Sequence, residues 1–498
     1  LYSFTDLADA NYFVVVDSKA VGSSQDPAAV QGDIWAEQTY GPAGGYCDTG
    51  VGFTVRGTAG PCYGGITSSI SDDFSQWDDR EHRALVTLAG ADTSDVDFGF
   101  SFNVVTTTNG GDTRDDDTGA NRTVQGSLRQ FIQNANAISG ANAMRFVPAD
   151  PAGTTDGGSN SWWRISVSSA LPASTDADTD IDGTAYALTD GTALQNTNTL
   201  GPELELSGSS GNGLEISADT NEVRDLVVNG GFDTGIAVLG GDSTVIAGNY
   251  VGPDATGAVG EVGNHEGILV YGATNTIIGG TTAADRNVIS GNRLRGVAVD
   301  DWSDGAPYIS DGTQIIGNYI GTNAAGTANL PYDNSPQYQQ IGIYLLETRD
   351  TVIGTAADGN VMSGNYCYAV SVWAPNGTNN KIQGNIIGLD AAASAAIPNG
   401  WESATRGGIY LSNAPGNLIG GIGVGEGNII ASNANAGVIV YGTSGLDNAI
   451  LSNEIYDNGA LGIDLDTDGV TANDVGDSDA GGNDLLNFPS IASATETA

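Results

Sequence analysis

The segments IAGNYVG (246–252), IIGNYIG (315–321), IQGNIIG (382–388) and ILSNEIY (450–456) are versions of one another, and they set Asn249, Asn318, Asn385 and Asn453 at spacings of 69, 67 and 68 residues. A chain that repeats itself at such an interval is built from one unit many times over, and each unit buries its apolar face against its neighbours. Two further series interleave with the first: NVISGN (287–292), NVMSGN (360–365) and NIIASN (428–433), then GILV (267–270), GIYL (342–345) and GIYL (408–411). Within each run apolar positions alternate with small or polar ones, the period of a strand. Each run stops at Gly or Asn, residues that accept the left-handed backbone of a sharp corner. Short strand, corner, short strand and longer loop, repeated, describe stacked coils. The fold class expected is all-β, a right-handed parallel β-helix, with three coils of roughly 22 residues in each superperiod. Ile and Val then stack inside, and Asn249, Asn318, Asn385 and Asn453 form a ladder of amides whose bonds are each worth about 1 kcal/mol.

A stack of coils has two open ends that need covers. In QGSLRQFIQNANA (125–137), Ser127 followed by Gln130 is a capping-box pattern, and Leu128, Phe131, Ile132 and Ala135 share one helical face. A cap helix and the start of the solenoid are therefore expected over 127–159, the β-helix over 160–470, and an acidic, Gly-rich C-terminal cap over 471–498. Residues 1–102 read differently. YSFTDL, NYFVVVDS, RALVTLAG and VDFGFSFNVV alternate as antiparallel strands do, which suggests a small β-sandwich, and TTTNGGDTRDDDTGAN marks a linker over 103–126.

Composition limits the partners. Among 498 residues, 60 Asp and Glu oppose 16 Lys and Arg, for a net charge of -44. That field repels nucleic acid and anionic lipid and favours cations. No run of 18 or more apolar residues occurs, so no membrane insertion is expected. Cys47 and Cys62 flank a Gly/Pro-rich loop that an oxidising compartment would close as a disulfide, while Cys367, within the repeats, reads as a small buried hydrophobe.

The segment LYSFTDLADANYFVVVD resembles the closing strands of B-type repeat domains of the serine-aspartate and collagen-adhesin kind, and QGSLRQFIQNANA resembles the CSLREA-type segment that precedes right-handed β-helices in secreted bacterial proteins, with Gly126, Ser127, Leu128 and Arg129 matching its core. TNTIIGG, NVISGN and GNYIG are similar to that β-helix family as well. The resemblance implies an immunoglobulin-like sandwich ahead of the solenoid, an extracellular or cell-surface location, and a structural or adhesive role. A B-type domain has several strands before the YSF segment, and they are absent from this sequence. Either another copy of the chain supplies them, giving a head-to-tail filament by strand complementation, or the sequence is a piece of a longer one.

Two chemistries stand beside the scaffold. DTDIDG (178–183) and DLDTDG (464–469) have the alternate-aspartate spacing of a calcium loop but lack its closing Glu. In the second copy Asp464, Asp466 and Asp468 are followed by Asp474, Asp477, Asp479 and Asp484, enough ligands for an irregular calcium site as the one candidate cofactor, while alternating Asp and Leu also describe a strand with one wet face. A polysaccharide-active enzyme would need paired carboxylates, for which Asp300, Asp301 and Glu266 are the candidates, with Glu347 and Glu402 behind them and Trp302, Trp373 and Trp401 as sugar platforms. A passive glycan-binding module is the third possibility. The expected partners are thus other copies of the chain and surface glycans.

Overall fold

The computed structural model describes residues 3–30, 32–45, 62–63, 82–106, 126–148, 152–187, 197–260, 263–301, 310–332, 337–402 and 406–489. They divide into two units, 1–257 and 258–498. Each unit is built of coils whose strands form three parallel sheets.

In the first unit, Asn11–Val15 pairs antiparallel with Arg83–Thr87, and Glu37–Gly41 pairs antiparallel with Cys62–Tyr63 and Gly99–Ser101. Val104–Val105, which the sequence reading assigns to a linker, is instead a strand that runs parallel to Arg145–Phe146. Buried Val105 lies opposite buried Phe146, so the chain joins the solenoid before its cap helix. The helix spans Leu128–Ala137, and the Ser127 hydroxyl accepts the Gln130 N–H at 3.0 Å. Gln130 does not complete a capping box; its Nε2 donates to Asn134 Oδ1. Leu128, Phe131, Ile132 and Ala135 are buried. Asn134 accepts the Trp35 N–H (2.8 Å) and donates to the Trp35 carbonyl (2.9 Å), while Arg129 donates to the carbonyls of Ser169 and Ala170. The helix is therefore a joint between the leading strands and the coils as well as a plug.

Coils start earlier than residue 160, because Asn142–Ala143 already pairs parallel with Thr179–Asp182. Ile181, Val223 and Ile246 lie in register, as do Leu206, Val228 and Val251, and all are buried. Among the described residues Glu37, Glu205 and Asp254 are the buried carboxylates of this unit. Glu205 accepts from Trp162 Nε1 (2.6 Å), Arg164 (2.7 and 2.9 Å) and Asn229 Nδ2 (2.9 Å), so its charge is compensated from every side.

The second unit is more regular. Its first sheet runs through Val288–Ile289, Tyr319–Ile320, Val361–Met362, Ile386–Ile387, Ile429–Ala431 and Glu454–Tyr456. The second sheet runs from Glu266–Tyr271 through Arg295–Asp300, Ile341–Leu346, Tyr368–Trp373, Gly407–Ser412 and Ala436–Tyr441 to Ile463–Leu465. The third runs from Ile277–Gly279 to Ala449–Leu451. In the second sheet Ile268, Val297, Ile343, Val370, Ile409 and Val438 stand in one column, each fully buried. At about 25 cal/mol per Å² of apolar surface, such columns supply the main stabilisation of the stack.

The superperiod holds two coils, not three. Asn318, Asn360, Asn385, Asn428 and Asn453 occupy the same corner of successive coils, at steps of 42, 25, 43 and 25 residues. The two asparagine series that look separate in the sequence merge here into one file. Each amide Nδ2–H and backbone N–H donates to the Oδ1 of the next rung, at 2.8–3.1 Å from Asn318 onward. A second file runs Asn264, Asn292, Gln339, Asn365, Asn399, Asn433 and Asn458. A third runs from Thr351 through Asn380, Asn417 and Asn448 to Asn483 in the C-terminal segment. The left-handed residue at the first corner is the one before the rung: Gly317 and Gly384 have φ of +71° and +65°, and Ser452 takes the same conformation at 56°. A Cβ on Gly384 would sit 2.0 Å from the Thr355 carbonyl oxygen, so glycine is required there by space as well as by φ.

Candidate functional site

Side chains that alternate with the buried column of the second sheet point outward, and in the second unit they include the aromatic Tyr344 and Tyr410. Tyr344, Ser371 and Tyr410 share one register line. Tyr410 stacks on Tyr368 (centroids 4.7 Å, planes 14° apart), meets Trp373 at 5.4 Å and lies 6.2 Å from Tyr441. The Arg406 guanidinium lies over Tyr368 and donates to its hydroxyl and to Glu402 (2.8 Å); Arg295 lies 4.1 Å over Tyr344 and pairs with Glu266 at 2.7 Å. Cys367, Tyr368 and Tyr410 are buried under this cover, forming a satellite core on the outside of the sheet. Burial pushes the Tyr368 phenol up to about 12 and, with the Glu402 carboxylate beside it, the Cys367 thiol likewise to about 12. The cysteine is thus held as an unreactive thiol. The Arg406 bond holds the Glu402 carboxyl below its usual range.

Beside this core lies an open groove. Two equivalent loops form its walls, one in each long coil. In the first, Asn323 Oδ1 accepts the N–H groups of Thr327 (2.8 Å) and Ala328 (3.3 Å), and an antiparallel bridge joins Thr322 and Asn329. In the second, Asp390 Oδ1 accepts those of Ser394 (2.7 Å) and Ala395 (3.0 Å), and a bridge joins Leu389 and Ala396. Those two N–H groups, Ala395 first, also draw the Asp390 carboxyl below its usual range. Ala391 N–H donates to the Gly326 carbonyl (2.9 Å), tying one loop to the other. The groove between them encloses about 450 Å³ and is lined by Thr327, Asn329, Ile397, Pro398, Trp401 and three alanines. Trp401 stays 42 % exposed and is braced edge-on by Tyr366 (5.8 Å, 70°). An exposed indole on an apolar shelf with a few neutral polar groups suits the stacking of a flat, partly apolar ligand.

The structure does not bring Glu266 together with Asp300 or Asp301. Glu266 pairs in register with Arg295, five residues before Asp300, which puts the two carboxylates about 17 Å apart along the strand, beyond the roughly 5–9.5 Å of a glycosidase pair. Asp301 sits at the following corner. Desolvation, reinforced by Asp311, pushes its carboxyl up to about 6, and Asp311 in turn is held by Arg349 at 3.1 Å. Glu347 accepts the Asn376 N–H, a turn contact. Trp302 lies outside the described residues, as does Cys47, so the expected Cys47–Cys62 disulfide falls outside them too.

The calcium candidates are engaged locally. Asp464 accepts the Gly469 N–H, Asp466 the Gly442 N–H (2.7 Å) and Asp477 the Asn487 N–H (2.8 Å). Among the described residues no three Asp, Glu, His or Cys side chains are grouped to hold a metal ion. Among them, too, no helix is long and apolar enough to cross a membrane. The groove itself had a sequence signal that the Asn repeats overshadowed: NAAGTANLP (323–331) and DAAASAAIP (390–398) are the same loop written twice.

No protein-family model matches the chain. Among solved structures it is similar to the Dettilon tailspike protein, at 15% identity and a TM-score of 0.36 over 73% of this chain and 67% of the tailspike. It is also similar to an alginate lyase from Paenibacillus sp. (13%, TM-score 0.31, 68% of this chain and 95% of the lyase) and to the catalytic domain of a GH87 alpha-1,3-glucanase (12%, TM-score 0.29, 88% and 87%).

Proposed function

We propose that the protein is an extracellular or cell-surface adhesive scaffold that binds glycan chains at the Trp401 groove. The observation that carries this reading is the exposed Trp401 indole, braced by Tyr366 at the edge of an open, neutral groove between two loops of the same design. Sugar rings present C–H faces to aromatic planes and hydroxyls to neutral donors and acceptors. Thr327 and Asn329 supply the latter. The amide files and aliphatic columns support the scaffold part of the reading, since they hold the loops on a stiff support.

The test is retention of the intact chain on a panel of immobilised glycans. Trp401→Ala is expected to weaken binding about tenfold or more, the scale of losing an aromatic anchor, while Trp401→Phe retains part of it. Wild-type retention by Trp401→Ala on every glycan that the parent binds would overturn the proposal.

A further inference from the structure

We infer that the groove takes an uncharged glycan and disfavours acidic polysaccharides, an inference that rests on the reading of the groove as a glycan site. Among the described residues, none that lines it is ionisable: the polar groups are the Thr327 hydroxyl and the Asn329 amide, and the rest are Trp401, Ile397, Pro398 and alanines. Recognition of a uronate or sulfated sugar calls for a cation within reach of each acidic group, usually an arginine fork. The nearest such residue in sequence, Arg406, is already committed, donating to Glu402 Oε2 at 2.8 Å and to the Tyr368 hydroxyl while its plane lies over the Tyr368 ring.

Freeing Arg406 for a ligand would strand the Glu402 carboxylate and uncover the satellite core. Over the whole chain, 60 acidic residues against 16 basic ones give a net negative field that a polyanion must climb at low salt. A neutral chain meets no such barrier. The walls also favour a chain over a single sugar. They come from loops two coils apart, 321–330 and 389–398, with Ala434 a further coil on, so the groove extends about 14 Å along the coil stacking direction and can accommodate a short run of linked rings.

Isothermal titration of the intact chain with soluble neutral polysaccharides (a β-glucan, a mannan, a xylan) and acidic ones (alginate, polygalacturonate), at low and high salt, tests this directly. The expected result is binding to at least one neutral chain, insensitive to salt and weakened tenfold or more by Trp401→Ala, with acidic chains bound at least tenfold more weakly. Ala328→Lys, a change at an exposed position on the groove wall, is expected to raise acidic-chain affinity severalfold at low salt. Tighter, salt-sensitive and Trp401-dependent binding of an acidic chain would overturn the inference and leave the glycan site standing. Binding of neither class, or binding indifferent to Trp401, would overturn both.

Discussion

Asn385 ties three coils together with one short side chain. Its Nδ2–H donates to the Ile353 carbonyl (2.8 Å) and to Asn428 Oδ1 (2.9 Å), and its Oδ1 accepts both the N–H and the Nδ2–H of Asn360. It is 1 % exposed, so water cannot replace any of these bonds. Asn385→Leu is expected to lower the unfolding free energy by roughly 2–5 kcal/mol, because it leaves several buried polar groups without partners. Asn453→Leu, at the last and partly exposed rung of the same file, should cost only about 1 kcal/mol; equal losses in chemical denaturation would show that the file does not act as a ladder. Asp301 works in the opposite sense. Its carboxyl titrates near 6 in the folded chain against 3.8 ordinarily, so the folded state holds its proton more tightly than the unfolded one. Its contribution is unfavourable above about pH 6 and is relieved as pH falls towards about 4. Asp301→Asn should flatten that part of the melting-temperature profile and raise the melting point at neutral pH; an unchanged profile would remove Asp301 as its source.

The elements show which signals a sequence carries plainly. Asparagines at near-constant spacing and β-branched alternation mark strands and corners, because stacking demands the same residue at the same place in each coil. The helix at Leu128–Ala137 was legible from Ser127 and its apolar face. Coil length was not, since a 42- or 43-residue coil alternates with one of 25 and only the sum recurs evenly. Nor was it legible that Gly317 takes the left-handed turn while Asn318 serves as the rung; both tolerate positive φ, and only the neighbouring coil decides. The groove was partly legible. Trp401 is one of three tryptophans that read as sugar platforms, but Thr327, Asn329, Ile397 and Pro398 are chemically bland and meet only because two loops stack. Carboxylates drew notice as possible catalytic pairs, although Glu266 is tied to Arg295 and lies far along the strand from Asp300.

For the molecule as a whole, the alternation of long and short coils limits how such a chain can change length. The loops at 322–330 and 389–397 already touch through Ala391 and Gly326 with one short coil between them, at a separation of about 10 Å. Two long coils placed directly on one another would bring these loops into collision. A deletion of 319–385 joins Asn318 to Ile386, removes one long and one short coil, and preserves every corner. It should give a cooperative thermal transition and a β-rich circular dichroism spectrum. A deletion of 361–385 removes only the short coil, joins Asn360 to Ile386 just as neatly, and should misfold or melt well below the parent; equal stability of the two would refute the idea. Growth and loss in this architecture then come in quanta of a coil pair, the smallest piece that gene duplication can copy without crowding, and each added pair brings one more loop of the kind that walls the groove.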